Sequence, residues 1–346
     1  MINSVYIHLP FCLRRCSYCD FYSQTDLSLK SSYIRALEKD AVYFRSLCGE
    51  IKTLYIGGGT PSVFSAGEFS AVFEILRRNF RFSKNCETTV EVNPRSATER
   101  ILSFLRANSV NRLSIGIQFL DRKLLLKANR DHSPEDAEKV FLNARKAGFS
   151  NINTDIIYGF PGQSAQSFYG TLKRITALDP EHISAYIYTP PSGRKNILKE
   201  APPKNNIIAS MYETLCRELK KSGFAHYEIS NFAKPGKKSR HNINYWRRGG
   251  YAGLGAGAVS SFGSKRLTGA FIKSYLRAPL KKSEETLDRK KMNFEKKFLA
   301  LRTLEGIPYR KKHDKFIARG WVKKKNEKSV FTEKGWLVSN SVISEL

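Results

Sequence analysis

Cys12, Cys16 and Cys19 stand within eight residues near the start of a 346-residue chain, close enough for one loop to wrap a single metal centre with three thiolates. Structural zinc takes four protein ligands, and the loop itself offers no fourth Cys or His. Catalytic zinc on three thiolates is rarer and stays open on spacing alone. A cluster of four irons is commonly held by four cysteine thiolates, so three would leave one iron open to an outside ligand. The other three cysteines, Cys48, Cys86 and Cys216, are isolated in sequence and read as core residues. Six cysteines are too few for a disulfide scaffold in a chain this long, which points to a reducing compartment.

The elements that must position this loop follow a βα rhythm. β-branched or aromatic runs at 4–9, 52–57, 88–93, 111–117, 151–158, 182–188 and 226–232 alternate with helical patterns, giving six βα units and a candidate seventh strand. Helix starts are marked by Ser96 with Glu99 as a capping box and by Ser133 before Pro134, and stops by Gly148 and Gly223. The unusual residues fall at the strands' C-terminal ends: Cys12, then Gly57-Gly58-Gly59-Thr60-Pro61, Glu91, Gln118, and Asp155 with Gly159. An open doubly wound sheet and a barrel both place chemistry there, but one site fed by many successive strands favours a barrel. The expected fold is therefore α/β, an incomplete (β/α) barrel of about six units, with a small, mainly helical C-terminal domain ending in a β-hairpin. The boundaries expected are 1–233 for the barrel, 234–288 for a connecting segment with a Gly-rich turn, and 289–346 for a winged-helix-like domain.

The segment Tyr6-Ile7-His8-Leu9-Pro10-Phe11-Cys12, running into Cys16-Ser17-Tyr18-Cys19-Asp20-Phe21, resembles the signature of the radical S-adenosylmethionine (radical SAM) superfamily. Within it the match is to the HemW-like group, related to oxygen-independent coproporphyrinogen III oxidase. Leu54 to Pro61, Val90 to Pro94, Arg112 to Gln118, Asn153 to Gly159 and Tyr227 to Ala233 extend it, so that it covers roughly 4–260. The resemblance implies a [4Fe-4S] cluster on Cys12, Cys16 and Cys19, with the fourth iron chelated by S-adenosylmethionine. It also implies that Tyr6, Tyr18, Gly58, Gly59, Thr60, Glu91, Gln118, Arg130 and Asp155 hold that cofactor. The residue types suit that role, with aromatic faces beside a sulfonium, glycines where backbone approaches closely, and carboxylates for ribose hydroxyls or an amino group.

The coproporphyrinogen oxidases carry a further cysteine two residues after the third, where this chain has Phe21; HemW-like proteins share that lack. The resemblance therefore implies a heme-binding chaperone that passes heme to a haemoprotein, ahead of a porphyrinogen oxidase. The segment His241-Asn242-Ile243-Asn244-Tyr245-Trp246 matches the group's HNxxYW motif and marks His241, Tyr245 and Trp246 as heme candidates, with Lys237, Lys238, Arg240, Arg247 and Arg248 placed for propionates. The chain departs from the group at Val259, where a histidine is usual, and in Tyr188 to Gly193, which lacks an acidic residue before its Pro-Gly position.

Apolar residues make up 41% of the chain and aromatics 12%, enough for a large core and unlike a disordered protein. No run of about 18 apolar residues appears, and the chain opens on a strand-like Val5 to Leu9, so the expectation is a cytoplasmic protein, with membrane-surface association and homodimerisation compatible with it. The net charge of +28 is spread along the chain instead of gathered in one tail. That pattern speaks against nucleic acid as the partner, although a radical-SAM-like nucleic-acid modifier stays a third reading, testable by a steep salt dependence of RNA binding.

Overall fold

The computed structural model describes residues 1–192, 198 and 200–345. Six strands run parallel in sequence order: β1 (Ile2–Leu9), β2 (Cys48–Gly58), β3 (Phe82–Val92), β4 (Arg112–Gln118), β5 (Ile152–Tyr158) and β6 (His182–Ile187). Alternation decides their faces. In β4, Leu113, Ile115 and Ile117 are wholly buried beneath the helical layer, whereas Arg112, Ser114, Gly116 and Gln118 fall on the inner face. The crossover helices are α1 (Lys30–Phe44), α2 (Ala66–Asn79), α3 (Glu99–Ala107), α4 (Arg122–Lys127), α5 (Pro134–Lys146), α6 (Ala165–Ala177) and α7 (Asn205–Lys221). Apart from α4, whose Leu124 and Leu125 pack in a separate cluster with Phe119 and Phe160, their apolar stripes close one continuous core against β1 to β6.

The ends of the sheet differ from the sequence expectation in detail. The run 226–232 is two short strands, β7 (Ala225–Glu228) and β8 (Asn231–Ala233); β8 pairs antiparallel with β6, and β7 with β8, so this run is no seventh βα unit. At the other edge β9 (Ala252–Leu254), inside the segment read as a Gly-rich turn, pairs parallel with β1. The nine-stranded sheet has order β7-β8-β6-β5-β4-β3-β2-β1-β9, and β7 and β9 do not pair, so the barrel is incomplete. The capping expectation at α3 also shifts: Thr98 caps the helix by accepting from the Ile101 N–H, and Ser96 instead bonds Ser62, Oγ to Oγ at 2.6 Å. At α5 Ser133 and Asp136 form a full capping box. Gly148 and Gly223, both at positive φ, follow α5 and α7.

Between sheet and C-terminus, α8 (Arg240–Trp246) precedes β9, and β10 (Val259–Phe262), β11 (Lys265–Gly269) and β12 (Lys282–Thr286) form an antiparallel sheet unforeseen in the sequence, with α9 (Ile272–Arg277) inserted. The C-terminal region has its own apolar cluster around Leu301, Phe316, Phe331 and Trp336. It is built from α10 (Arg289–Leu301), β13 (Ile307–Pro308), α11 (Asp314–Ala318), β14 (Val322–Lys325) and β15 (Lys328–Phe331). The β14–β15 hairpin is not terminal, because α12 (Glu333–Leu337) and α13 (Ser339–Ser344) follow it. No helix among the described residues is long and apolar enough to cross a membrane.

Candidate functional site

A cavity of about 390 Å³ opens at the C-terminal ends of the parallel strands. The loop after β1 forms one wall. Phe11, wholly buried against Tyr33 and Phe64 with centroids at 5.3 and 5.6 Å, anchors its start. The Cys12 N–H donates to Gln24 O at 3.0 Å, which ties the two ends of the loop together, and the Ser17 N–H to Ala128 O at 3.1 Å and Asn129 Nδ2 to Arg15 O at 2.8 Å fasten it to the end of α4. Cys12, Cys16 and Cys19 all line the cavity, Cys12 buried and the others half-buried.

The glycine run has a positional reason at each residue. A side chain at Gly57 would strike the Glu91 carboxyl, Gly58 lies at φ +119°, and a Cβ at Gly59 would meet Phe11 O at 2.7 Å and Cys12 Sγ at 3.0 Å. The tight packing at Gly59 predicts that Gly59→Ala pushes the cysteine loop outward. Iron uptake on anaerobic reconstitution should fall several-fold and stability by about 1–3 kcal/mol. Gly67→Ala, with open space around it in α2, should leave iron uptake unchanged and raise stability by about 0.5–1 kcal/mol. Equal iron content and equal melting of the Gly59 variant would refute the packing argument.

Around the thiols stand groups suited to sulfur and to a polar ligand. Thr60 Oγ1 donates to Cys12 Sγ at 3.5 Å, and Arg130 Nη1 to Cys16 Sγ at 3.6 Å and to Tyr18 Oη at 3.3 Å. Burial pushes the Cys12 thiol up, and the Cys19 thiol up to about 11, so thiolates there call for a cationic partner. Glu91 accepts from Tyr55 Oη at 2.8 Å and the Gly58 N–H at 3.1 Å; burial, with Asp155 nearby, raises it to about 7. Asp155, also raised by burial, accepts from Ser114 Oγ at 2.9 Å and Asn153 Nδ2 at 2.8 Å. Gln118 closes β4 at φ +60°, its amide folded over Gly116. Gln118 Oε1 and Arg130 Nε are buried without a hydrogen-bond partner in the wall of the cavity. A ligand there would satisfy them.

Tyr18, Gly58, Gly59, Thr60, Glu91, Gln118, Arg130 and Asp155 therefore share one cavity with the three cysteines. Tyr6 does not line it: its hydroxyl is 3.0 Å from His8 Nδ1 and its ring stacks on Tyr55. Sequence reasoning missed Tyr55, Ser114, Gly116 and Tyr186, which line the cavity too. The signal was the period of two, since Ser114 and Gly116 precede Gln118 on the same face. Among the described residues no three His, Cys, Asp or Glu converge tightly enough to hold a single metal ion. Thiolates that each bind a different iron of one cluster need not converge, so the donor set fits a cluster better than zinc.

The structure places the HNxxYW segment elsewhere. Helix α8 lies beneath the inner face of the sheet, its start capped by Ser239 and by Glu87, which accepts from the Arg240 and His241 N–H groups at 3.0 Å each. His241 is wholly buried, with Nδ1 2.8 Å from Thr53 Oγ1 and Nε2 2.8 Å from Tyr245 Oη, so both ring nitrogens are engaged. Tyr245 and Trp246 are half-buried. Arg247 pairs with Glu305 and Arg248 with Glu295, Arg240 donates to Asn85 O and Lys237 to Ser150 O, and Lys238 lies over the Tyr227 ring. Val259 opens β10, and the part of Tyr188 to Gly193 that includes Gly193 lies outside the described residues.

Comparison with known proteins agrees with this geometry. Residues 6–175 match the Radical SAM superfamily. The chain is 33% identical over 332 residues to a protein named Heme chaperone HemW from Bacillus subtilis, covering 91% of this chain and 87% of that one. It is 30% identical over 367 residues to the Heme chaperone HemW of Mycobacterium tuberculosis, covering 99% and 94%. Among solved structures, the coproporphyrinogen III oxidase HemN from Escherichia coli, a radical SAM enzyme, superposes with a TM-score of 0.85 at 23% identity, over 99% of this chain and 89% of that one.

Proposed function

The chain belongs to the HemW family of the radical SAM superfamily, and on that premise we propose that it binds heme and delivers it to a haemoprotein. Its cofactors as a radical SAM protein are a [4Fe-4S] cluster and S-adenosylmethionine. Cys12, Cys16 and Cys19 are the residues that would hold the cluster, leaving one iron free for the cofactor. When bound, the cluster would supply one-electron reducing chemistry beside the sulfonium. Thr60 and Arg130 donate to two of the thiolates, which lowers their charge density and holds the loop in place. Gln118 and Arg130 offer the unpartnered atoms that a ribose or carboxylate would meet. Glu91 and Asp155 are held by Tyr55, Gly58, Ser114 and Asn153 in fixed orientation, ready to accept from hydroxyl or amino groups.

The observation that carries the chaperone reading is extended identity to HemW proteins, with Phe21, 72% exposed, standing at the cavity mouth where the coproporphyrinogen oxidases resembling it carry a cysteine. His241 serves this reading as part of the floor of the sheet and not as an available axial ligand, since both its nitrogens are bonded within the protein. We read 1–233 as the radical SAM core, 234–288 as the connecting segment and 289–346 as a winged-helix-like appendage. The haemoprotein that receives heme, and the membrane surface where it would be met, belong to the same proposal.

The test is anaerobic reconstitution with iron and sulfide, followed by heme titration and by an assay of coproporphyrinogen decarboxylation with S-adenosylmethionine and a reductant. Stoichiometric heme binding without decarboxylation is the expected result. Turnover of the porphyrinogen would make the protein an oxidase for which the further cysteine is dispensable.

A further inference from the structure

We propose that the groove between α10, β13 and α13 is a heme seat, in which the macrocycle lies against Phe294 and Phe298 and its propionates pair with Arg289, Lys290 and Lys297. The inference rests on the heme-binding reading above and locates the site. The groove encloses about 610 Å³, within the range of ligand pockets. Its floor is Phe298, Leu301, Ile307 and Ile343, its rim the three cations, and no acidic residue lines it.

Helix α10 is built in a way that its own domain does not use. Lys290, Phe294, Lys297 and Leu301 recur at helical spacing on one face, yet only Leu301 is buried, and Phe294 is 62% exposed. Phe294 and Phe298 stack with centroids 6.3 Å apart and planes 26° from parallel, and Arg302 packs on Phe298 at 4.4 Å. Two offset rings, 26° from parallel, put aromatic surface along this side of the groove, where a planar aromatic ligand can stack or lie edge-on. The rim cations are also unspent. Nearby, Arg247, Arg248, Arg266 and Lys291 all pair with glutamates, while Arg289, Lys290 and Lys297 have no carboxylate in ion-pair distance among the described residues. A flat apolar body with two carboxylates is the chemistry of heme.

No His, Cys, Met or Tyr lines the groove, so it offers none of the usual axial ligands, and its lysines are assigned to the propionates. Heme is then held by apolar contact and charge alone, an arrangement that releases its cargo readily, as a carrier must. Metal-free protoporphyrin should bind as tightly as heme.

The experiment titrates the full chain with heme and with protoporphyrin, read by quenching of tryptophan fluorescence; Trp321 and Trp336 pack in this domain. Phe294→Glu, at an exposed position, and the triple variant Arg289→Glu, Lys290→Glu, Lys297→Glu should each weaken both ligands at least tenfold while iron content and circular dichroism stay those of the parent. Parent-like heme affinity in both variants would overturn the site and leave the chaperone reading standing. Failure of the unaltered chain to bind heme would overturn both. Binding of heme but not of protoporphyrin by the unaltered chain would overturn a seat without an axial ligand.

Discussion

The Cys16→Ala chain is expected to purify folded but nearly without iron. The loop's hold on the protein does not pass through this side chain: the Ser17 N–H donates to Ala128 O, Ser17 Oγ to Lys127 O at 3.1 Å, and Asn129 Nδ2 to Arg15 O. Cys16 is half-buried, so removing its sulfur opens little space in the core. Its chemical loss is much larger. One of three protein thiolates disappears, a second iron is left without a protein ligand, and the Arg130 guanidinium at 3.6 Å is left facing the gap without the anion it was arranged to meet. Iron and acid-labile sulfide after anaerobic reconstitution should fall by roughly tenfold or more, and the visible absorption of the cluster with them. Cys48→Ala is the matched control, because Cys48 is half-buried outside the cavity and should keep full iron. Full iron in the Cys16 variant would sink the assignment of the three thiolates.

What could be read from the sequence was what is local. The cysteine spacing, the Gly-Gly-Gly-Thr-Pro turn and the period of two in β1 to β6 are written in neighbouring residues, and together they specify nearly the whole cavity. His241 shows where that stops. Amid Lys and Arg it reads as a solvated loop residue or as a ligand, but its burial is decided by Thr53 and Glu87, which lie 188 and 154 positions away. The basic cluster around it likewise finds its carboxylates at Glu295 and Glu305, in a different part of the chain. β9 was hidden for a further reason: three residues carry no period, and Gly253 is there because any side chain would run into the backbone carbonyl of Val259. The family resemblance implies a cofactor role for Tyr6, whereas its position on the strand points it at His8 and Tyr55 instead.

The burial of the histidines has a large consequence in acid. Burial holds His226 and His241 down at about 3, His132 at about 4 and His182 well below the usual 6.5. Each is neutral in the folded chain and takes a proton in the unfolded chain below pH 6.5, so its contribution is complete above 6.5 and is lost as pH falls toward its folded value. At pH 5 His226, His241 and His132 have each given up roughly 2 kcal/mol at 1.36 kcal/mol per unit, about 6 kcal/mol together, and His182 acts in the same direction. Three buried carboxyls, Glu91, Glu228 and Asp155, work the other way. Burial raises Glu91 and Glu228 to about 7, so their stabilising contribution belongs below 4.5 and is lost as pH rises toward 7. Moving from pH 7 to 5 they return part of what the histidines lose, leaving a net fall of a few kcal/mol, a sizeable part of a stability of about 5–15 kcal/mol. Stability should therefore peak near neutrality, and Tm, followed by near-ultraviolet circular dichroism, should drop by roughly 5–10 °C on going to pH 5. His226 isolates one share of the effect. Its ring stacks on Phe232 at 4.0 Å and packs edge-on against Trp336 at 4.2 Å, with weak polar contacts of 3.4 Å to Ile229 O and 3.9 Å to Cys216 Sγ, so His226→Phe keeps the packing and removes the titration. The variant should unfold from urea with a pH slope lower by close to one proton between pH 5 and 6, and an unchanged slope would mean that His226 is not held neutral in the folded chain.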